Sequence, residues 1–295
     1  MLERDRPAQR CREPPNRCFD RGLTDVGHET RCKHAPSRQQ GARLALVGRT
    51  ALITGGNRGI GQQVARVLAQ DGWDVLIAGR DKAKADSAAA RLRKDTGGRL
   101  RGVELDVTSD ASVATCAQKL RDGAIKLDAL VNNAGVYRDA DLPTTLETNF
   151  FGPLRVTLGL LPLLKDGATV TNVTSRLGEL ANLDAEHQAL LRDPALTRDQ
   201  LVESIHAFVR GGGNGWGTHA YGVSKAALNA VTRILARELA ERSIKINATC
   251  PGWVRTDMGG RSAPRSVEEG AESVIFGVTA TETGGVFRDG RRIAP

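Results

Sequence analysis

From Arg49 onward, short apolar runs alternate with segments of helical periodicity. RTALIT (49–54) predicts a strand, and Ile60–Gln70 carries apolar residues at helical spacing. WDVLIA (73–78) predicts a second strand, followed by an alanine-rich helical segment over Lys82–Lys94. LRGVELDV (100–107), DALVNN (128–133), ATVTNV (168–173) and IKINAT (244–249) continue the series, each preceded by a helix-like stretch. Continuously apolar strands belong to sheets covered on both faces, and strand–helix alternation on this scale predicts an α/β chain with a doubly wound parallel sheet. In such sheets ligands bind beyond the carboxyl ends of the strands, near the topological switch.

Two segments break the rhythm. Residues 1–43 are rich in Arg, Pro, Gln and Gly without periodicity and are expected to be a disordered basic tail. The recognisable pattern begins after Leu44–Val47, so 44–295 is expected to form a single domain. Within it, 178–217 reads as a helical insertion. Thr197 and Gln200 have capping-box spacing, Leu201, Ile205, Phe208 and Val209 form an apolar stripe, and the glycine run GGGNGWG leads out. Trp216 either lines a substrate pocket or pins this insertion down.

Composition narrows the function classes. The net charge of +8 divides between the tail, with ten Lys/Arg against six Asp/Glu, and a long remainder with no basic block interleaved with aromatics. Nucleic acid is therefore not an expected partner. No apolar run approaches the roughly 18 residues of a membrane span. The five scattered cysteines (Cys11, Cys18, Cys32, Cys116, Cys250) contain no CxxC pair and suit a reducing cytoplasm. Cys250, beside Pro251, is expected to be a small buried residue. His187, His206 and His219 have no metal spacing and are expected to be structural.

The chemistry gathers at the predicted strand ends. TGGNRGIG (54–61) follows the first strand and opens the first helix. Gly55, Gly59 and Gly61 allow a tight turn and close approach of a pyrophosphate to free helix N–H groups, with Asn57, Arg58 and Ile60 in the same loop. The spacing is G-x-x-x-G-x-G rather than G-x-G-x-x-G. The second strand ends in Ala78-Gly79-Arg80 with no carboxylate to meet a ribose hydroxyl, so Arg58 and Arg80 point to the 2′-phosphate of NADP(H). Alternatively, Arg80 is a solvated strand-end residue. Near the far end lies AYGVSKAALN (220–229), where Tyr221 and Lys225 stand one helical turn apart. They are either an ordinary helix-surface pair or a device that makes a phenol a usable acid.

Taken together, TGGNRGIG, Asp106-Val107, NNAG (132–135), ETNFFG around Asn149, NVTSRLG with Ser175, YGVSK and CPGWVRTDM (250–258) resemble the short-chain dehydrogenase/reductase family, over essentially all of 49–290. The insertion before the tyrosine, with NFFG and PGWVRTDM, looks most like its monomeric carbonyl-reductase branch. The resemblance implies a Rossmann-type fold, a monomer, and catalytic roles for Asn149, Ser175, Tyr221 and Lys225. It further implies that Asp106 binds the adenine, with Val107 also at the cofactor, and that Asn133, Ala134 and Gly135 pack along the dinucleotide. Val254 and Thr256 would hold the nicotinamide carboxamide, and Pro251, Gly252, Tyr221 and Lys225 would also touch the cofactor.

On this reading Tyr221 protonates a carbonyl oxygen that Ser175 also holds, Lys225 binds the nicotinamide ribose, and Asn149 anchors a water behind Lys225. The Lys225 ammonium is expected to lower the pKa of the phenol from its usual value near 10. The expected activity is NADPH-dependent reduction of an aldehyde, ketone or quinone. Its alternatives are NADP-dependent oxidation of a secondary alcohol, or a non-catalytic NADP-binding sensor or scaffold. Blander roles exist for single residues: Ser175 as a turn residue beside a second hydroxyl, Thr174, and Asn132 and Asn149 as backbone caps.

Overall fold

The structure is a computed structural model that describes residues 48–137 and 140–295; the expected tail at 1–43 lies outside them. Among the described residues, eight strands form one sheet in the order β3-β2-β1-β4-β5-β6-β7-β8. β1 (Thr50–Thr54), β2 (Asp74–Gly79) and β3 (Arg99–Glu104) run outward on one side. β4 (Leu127–Asn132), β5 (Leu164–Val173) and β6 (Lys245–Thr249) run outward on the other. All of these pair in parallel, and the order reverses between β1 and β4. A ligand site is expected at the outer ends of those two strands.

The crossovers are α1 (Gly59–Gln70), α2 (Lys82–Thr96), α3 (Asp110–Asp122), the short α4 (Leu142–Leu146) and α5 (Gly152–Leu160). Beyond β5 come α6 (Ala185–Arg192), α7 (Arg198–Arg210), the long α8 (Ala220–Glu238) and α9 (Val267–Thr279). Because successive strand residues point to opposite faces, each strand feeds two cores. Ile53, Ile77 and Val131 join Val64, Leu68 and Val274 in one, while Leu52, Leu76 and Leu130 join Phe150, Leu228 and Val231 in the other. Each such fully buried aliphatic side chain contributes about 1.5–3 kcal/mol. At Gly102 in β3 an added Cβ would sit 2.4 Å from Asp86 Oδ1, so the close approach of α2 at this point needs a residue without a side chain.

The predicted series of parallel strands is present, with three differences. β3 ends at Glu104, not Val107. There Asp106 turns the chain by accepting from the Thr108 amide (2.9 Å) and hydroxyl (2.8 Å), which leaves Asp106 and Val107 beyond the strand end. β5 begins four residues before ATVTNV, at Leu164. The sheet is also not wholly parallel, since β7 (Val286–Arg288) and β8 (Arg291–Ile293) form a terminal antiparallel pair. These strands are three residues long, too short for a periodicity to register.

The insertion folds as its pattern predicts. Thr197 caps α7 through a reciprocal capping box with Gln200, and Leu201, Ile205 and Phe208 are buried. Trp216 is buried as well. Its ring stacks on His187 at 4.2 Å and meets Phe208 edge-on at 5.7 Å, so it pins α6 and α7 together. Among the described residues no helix is long and apolar enough to cross a membrane.

Candidate active site

The glycine turn sits where β1 meets α1. Gly55 and Gly59 adopt positive φ (62° and 54°), which a residue with a Cβ adopts only with strain. Gly61 is needed for space instead: a Cβ there would lie 2.4 Å from Asn133 Nδ2 and 2.9 Å from the Gly55 carbonyl. Asn133 cannot simply move aside, because its amide donates to the Thr54 and Gly55 carbonyls at 3.0 and 3.2 Å. The N-cap of α1, Arg58, makes no side-chain cap, whereas α2, α3, α7 and α9 are capped by Asp81, Ser109, Thr197 and Ser266. The first-turn amides of α1 thus face an uncapped, glycine-lined hollow suited to a phosphate group. Gly61→Ala is expected to displace the Asn133 amide, costing about 1–3 kcal/mol of stability. Affinity for the expected dinucleotide should weaken in parallel, measured by protein-fluorescence titration.

Other predicted cofactor positions border this hollow. Asn57 lies near Gly79, and Thr256 packs against Gly59, with its Cγ2 3.4 Å from where a Gly59 Cβ would stand. The loop after β6 therefore closes over the turn after β1. In that loop Pro251 and Val254 are buried. Gly252, at φ 81°, lies so close to Arg265 that a Cβ would stand 2.6 Å from its Cδ. Ile60 is half-buried and Arg80 is exposed. Arg58 is exposed too, and its guanidinium pairs with Asp257 at 3.0 Å across the cleft.

The loop after β4 carries Asn133, Ala134 and Gly135 past the same opening. The Thr54 hydroxyl fixes its start by accepting from the amides of Asn133 and Ala134, both at 3.0 Å. Its far end is held by Asn149, which sits in a π-helical turn (Glu147–Phe151) between α4 and α5. The Asn149 side chain accepts from the Val136 amide and donates to the Val136 carbonyl, each at 2.9 Å. Such π-turns insert one extra residue and re-aim the side chains beside it. Asn132 is instead buried in a polar seam, donating to Asn172 Oδ1 at 2.8 Å and Thr157 Oγ1 at 3.0 Å.

At the end of β5 the two adjacent hydroxyls part company. Thr174 is buried against the Lys225 carbonyl, while Ser175 is half-buried with its hydroxyl close enough to the Tyr221 phenol to favour the phenolate. The Ser175 oxygen also accepts from the Leu177 amide at 3.3 Å. Tyr221 stands in the first turn of α8, whose N-cap is His219: its Nδ1 accepts from the Gly222 amide at 3.0 Å. One turn on, Lys225 is buried and donates to the Val173 carbonyl at 2.8 Å. Its amine lies 5.6 Å from the centre of the Tyr221 ring and 4.0 Å from where a Gly135 Cβ would stand. The helix-surface alternative for this pair is therefore excluded.

The electrostatics correct one expectation. Burial pushes the Tyr221 phenol up to about 12, and the Ser175 hydroxyl only partly offsets it. Burial also pushes the Lys225 ammonium down to about 8. Desolvation, not the neighbouring cation, dominates the phenol. Tyr221 thus holds its proton throughout the neutral range.

The family model described as short chain dehydrogenase matches residues 49–185, and one described as enoyl-(acyl carrier protein) reductase matches 204–282. Carbonyl reductase [NADPH] 3 of Rattus norvegicus is 39% identical over 254 residues, spanning 79% of this chain and 91% of that protein. The chain belongs to the short-chain dehydrogenase family. Carbonyl reductase [NADPH] 1 of Sus scrofa is 38% identical over 77% of this chain and 86% of its own length. Among solved structures, salutaridine reductase from Papaver somniferum superposes with a TM-score of 0.74 at 29% identity, covering 82% of this chain and 99% of that one.

In this short-chain dehydrogenase, sequence reasoning missed several residues that build the site. Thr54 organises the β4 loop through its hydroxyl, and the Val173 carbonyl receives the Lys225 amine. Tyr137, the chain's other tyrosine, packs its ring 4.5 Å from that of Tyr221. The position of Tyr137 two residues after NNAG was the one signal available for it.

Proposed function

We propose that this protein reduces the carbonyl group of an aldehyde, ketone or quinone, with Tyr221 as the proton donor. The NADP-dependent oxidoreductase class, acting on carbonyl or CH–OH groups, follows from family membership and from relatives named as NADPH carbonyl reductases. The convergence of Ser175, Tyr221 and Lys225 at the outer end of β5 carries the mechanistic reading.

The uncapped glycine hollow fits a dinucleotide. Gly55, Asn57, Gly59, Ile60 and Gly61 would hold its pyrophosphate, and Asp106 and Val107 its adenine. Arg80 and, once released from Asp257, Arg58 would meet the 2′-phosphate. Asn133, Ala134 and Gly135 would run alongside, Lys225 would bind the nicotinamide ribose, and Pro251, Gly252, Val254 and Thr256 would border the nicotinamide. When bound, NADPH supplies the hydride for the carbonyl carbon and, once spent, leaves a positive charge near the phenol.

The chain's own residues handle the oxygen. The Ser175 and Tyr221 hydroxyls, which lie near each other, form a pair of donors for one carbonyl oxygen. As negative charge develops on that oxygen, Tyr221 transfers its proton and the product leaves as an alcohol. A phenol that stays protonated at neutrality is the right resting state for that step. Lys225, fixed by Val173, places an ammonium beside the ring where the phenolate forms. Asn149 holds the β4 loop and would anchor a water behind Lys225.

The test follows reduced-nicotinamide absorbance across aldehydes, ketones and quinones with NADPH and NADH. Consumption of NADPH at a kcat/KM about tenfold or more above NADH is expected, because two guanidiniums favour the 2′-phosphate. Tight NADPH binding without consumption by any carbonyl compound would instead favour a non-catalytic sensor.

A further inference from the structure

The second tyrosine is unused by the reaction as described, yet it is held firmly. The Asn149 amide clamps both the N–H and the C=O of Val136, the residue immediately before Tyr137. Thr54 fixes the other end of the same loop through Asn133 and Ala134. Tyr137 therefore leaves a backbone pinned at both ends by buried or half-buried side chains. Its ring centre lies 4.5 Å from that of Tyr221, tilted by 53°. His219, the N-cap of α8, completes a triangle with ring centres 6.4 Å from both tyrosines.

Two aromatic rings with centres 4.5 Å apart are in contact, with no room for a third group between them. A carbonyl compound whose oxygen reaches the Tyr221 and Ser175 hydroxyls carries two substituents that diverge from the carbonyl carbon. Neither can lie along the face of Tyr221 that Tyr137 covers. The large apolar side chains left exposed among the described residues are elsewhere: Leu177, two residues after Ser175, and Trp253 and Met258 in the loop after β6. Leu177 is the one of these in the short turn that begins at Ser175.

We infer that Tyr137 is a specificity-determining wall that restricts one substituent of the carbonyl to hydrogen or methyl. The substrate class is accordingly aldehydes and methyl ketones whose other substituent is large and apolar. This inference rests on the carbonyl-reductase reading given above. Tyr137 is not a second proton donor, because the buried ammonium and the serine hydroxyl are both assembled around Tyr221.

The test measures kcat/KM with NADPH for 4-nitrobenzaldehyde, 4′-nitroacetophenone and 4′-nitrobutyrophenone, in which the second substituent grows from hydrogen to methyl to propyl. The readout is the propyl-to-methyl ratio, which cancels any general loss of folding or cofactor binding. Tyr137→Ala is expected to raise that ratio about tenfold or more, since each methylene excluded from a pocket costs about 1–3 kcal/mol. Tyr137→Phe, which keeps the ring, should leave the ratio where it is. Should the alanine variant not fold, Tyr137→Leu removes part of the wall and is expected to move the ratio in the same direction. An unchanged ratio in a small-side-chain variant that still reduces the methyl ketone overturns the wall alone. Failure of the unsubstituted protein to oxidise NADPH with any of the three compounds overturns the reductase reading beneath it.

Discussion

Tyr221→Phe is expected to lower kcat about a thousandfold while NADPH still binds, because a positioned general acid contributes roughly 10²–10⁴ in rate. The substitution removes one oxygen and little else. The ring remains packed against Tyr137, and Ser175 keeps its hydrogen bond from the Leu177 amide, so no buried group is stranded. Ser175 can still polarise the carbonyl, which is why a residual rate is expected rather than none. Turnover and NADPH binding, read by absorbance and by fluorescence titration, separate the proton-donor role from a structural one. Activity within a fewfold of the unsubstituted protein would remove Tyr221 from the mechanism.

Lys225→Met should produce the second large loss, and with an informative sign. The buried ammonium titrates near 8, well below its usual 10.5, so folding pays for its charge at neutral pH. The unfolded lysine binds more protons between about pH 8 and 10.5; stability therefore rises with pH across that window, and the full cost is present below it. A shift of this size corresponds to about 3 kcal/mol. Methionine removes that cost but strands the Val173 carbonyl, losing about 1–3 kcal/mol. Thermal stability at pH 7 is thus expected to hold or rise while kcat/KM falls about a hundredfold or more. In the unsubstituted protein kcat/KM should also decline as pH rises through about 8, where the ammonium is lost; that limb should vanish in Lys225→Met. A variant that loses both stability and activity would indicate a merely structural lysine.

The parts of the site legible in sequence are those whose chemistry is local. Tyr221 and Lys225 lie one turn apart on a single helix, and the capping box at Thr197 and Gln200 spans one turn of another. The alternation of strands and helices is equally readable, because short apolar runs such as VLIA, bounded by turn residues and alternating with helical segments, suit strands of a sheet buried on both sides. What escaped reading depends on contacts between distant segments. The clamp of Asn149 on Val136 requires a π-turn that no residue pattern announces. Spacing reveals the cation beside Tyr221, but only the packed structure reveals the desolvation that raises its pKa. The partnership of Arg58 with Asp257 joins residues 199 positions apart, beyond any local pattern. β7 and β8 are held by their neighbours more than by their own sequence.

The most direct measurement is a crystal structure of the protein with NADP⁺ and an unreactive amide analogue of a carbonyl substrate. Both the Tyr221 Oη and the Ser175 Oγ are predicted to lie about 3 Å from the analogue's oxygen. The Lys225 amine should remain buried between Val173 and the ribose. An analogue oxygen held by other residues, with the Tyr221 hydroxyl turned away from it, would contradict the assignment of this phenol as the acid.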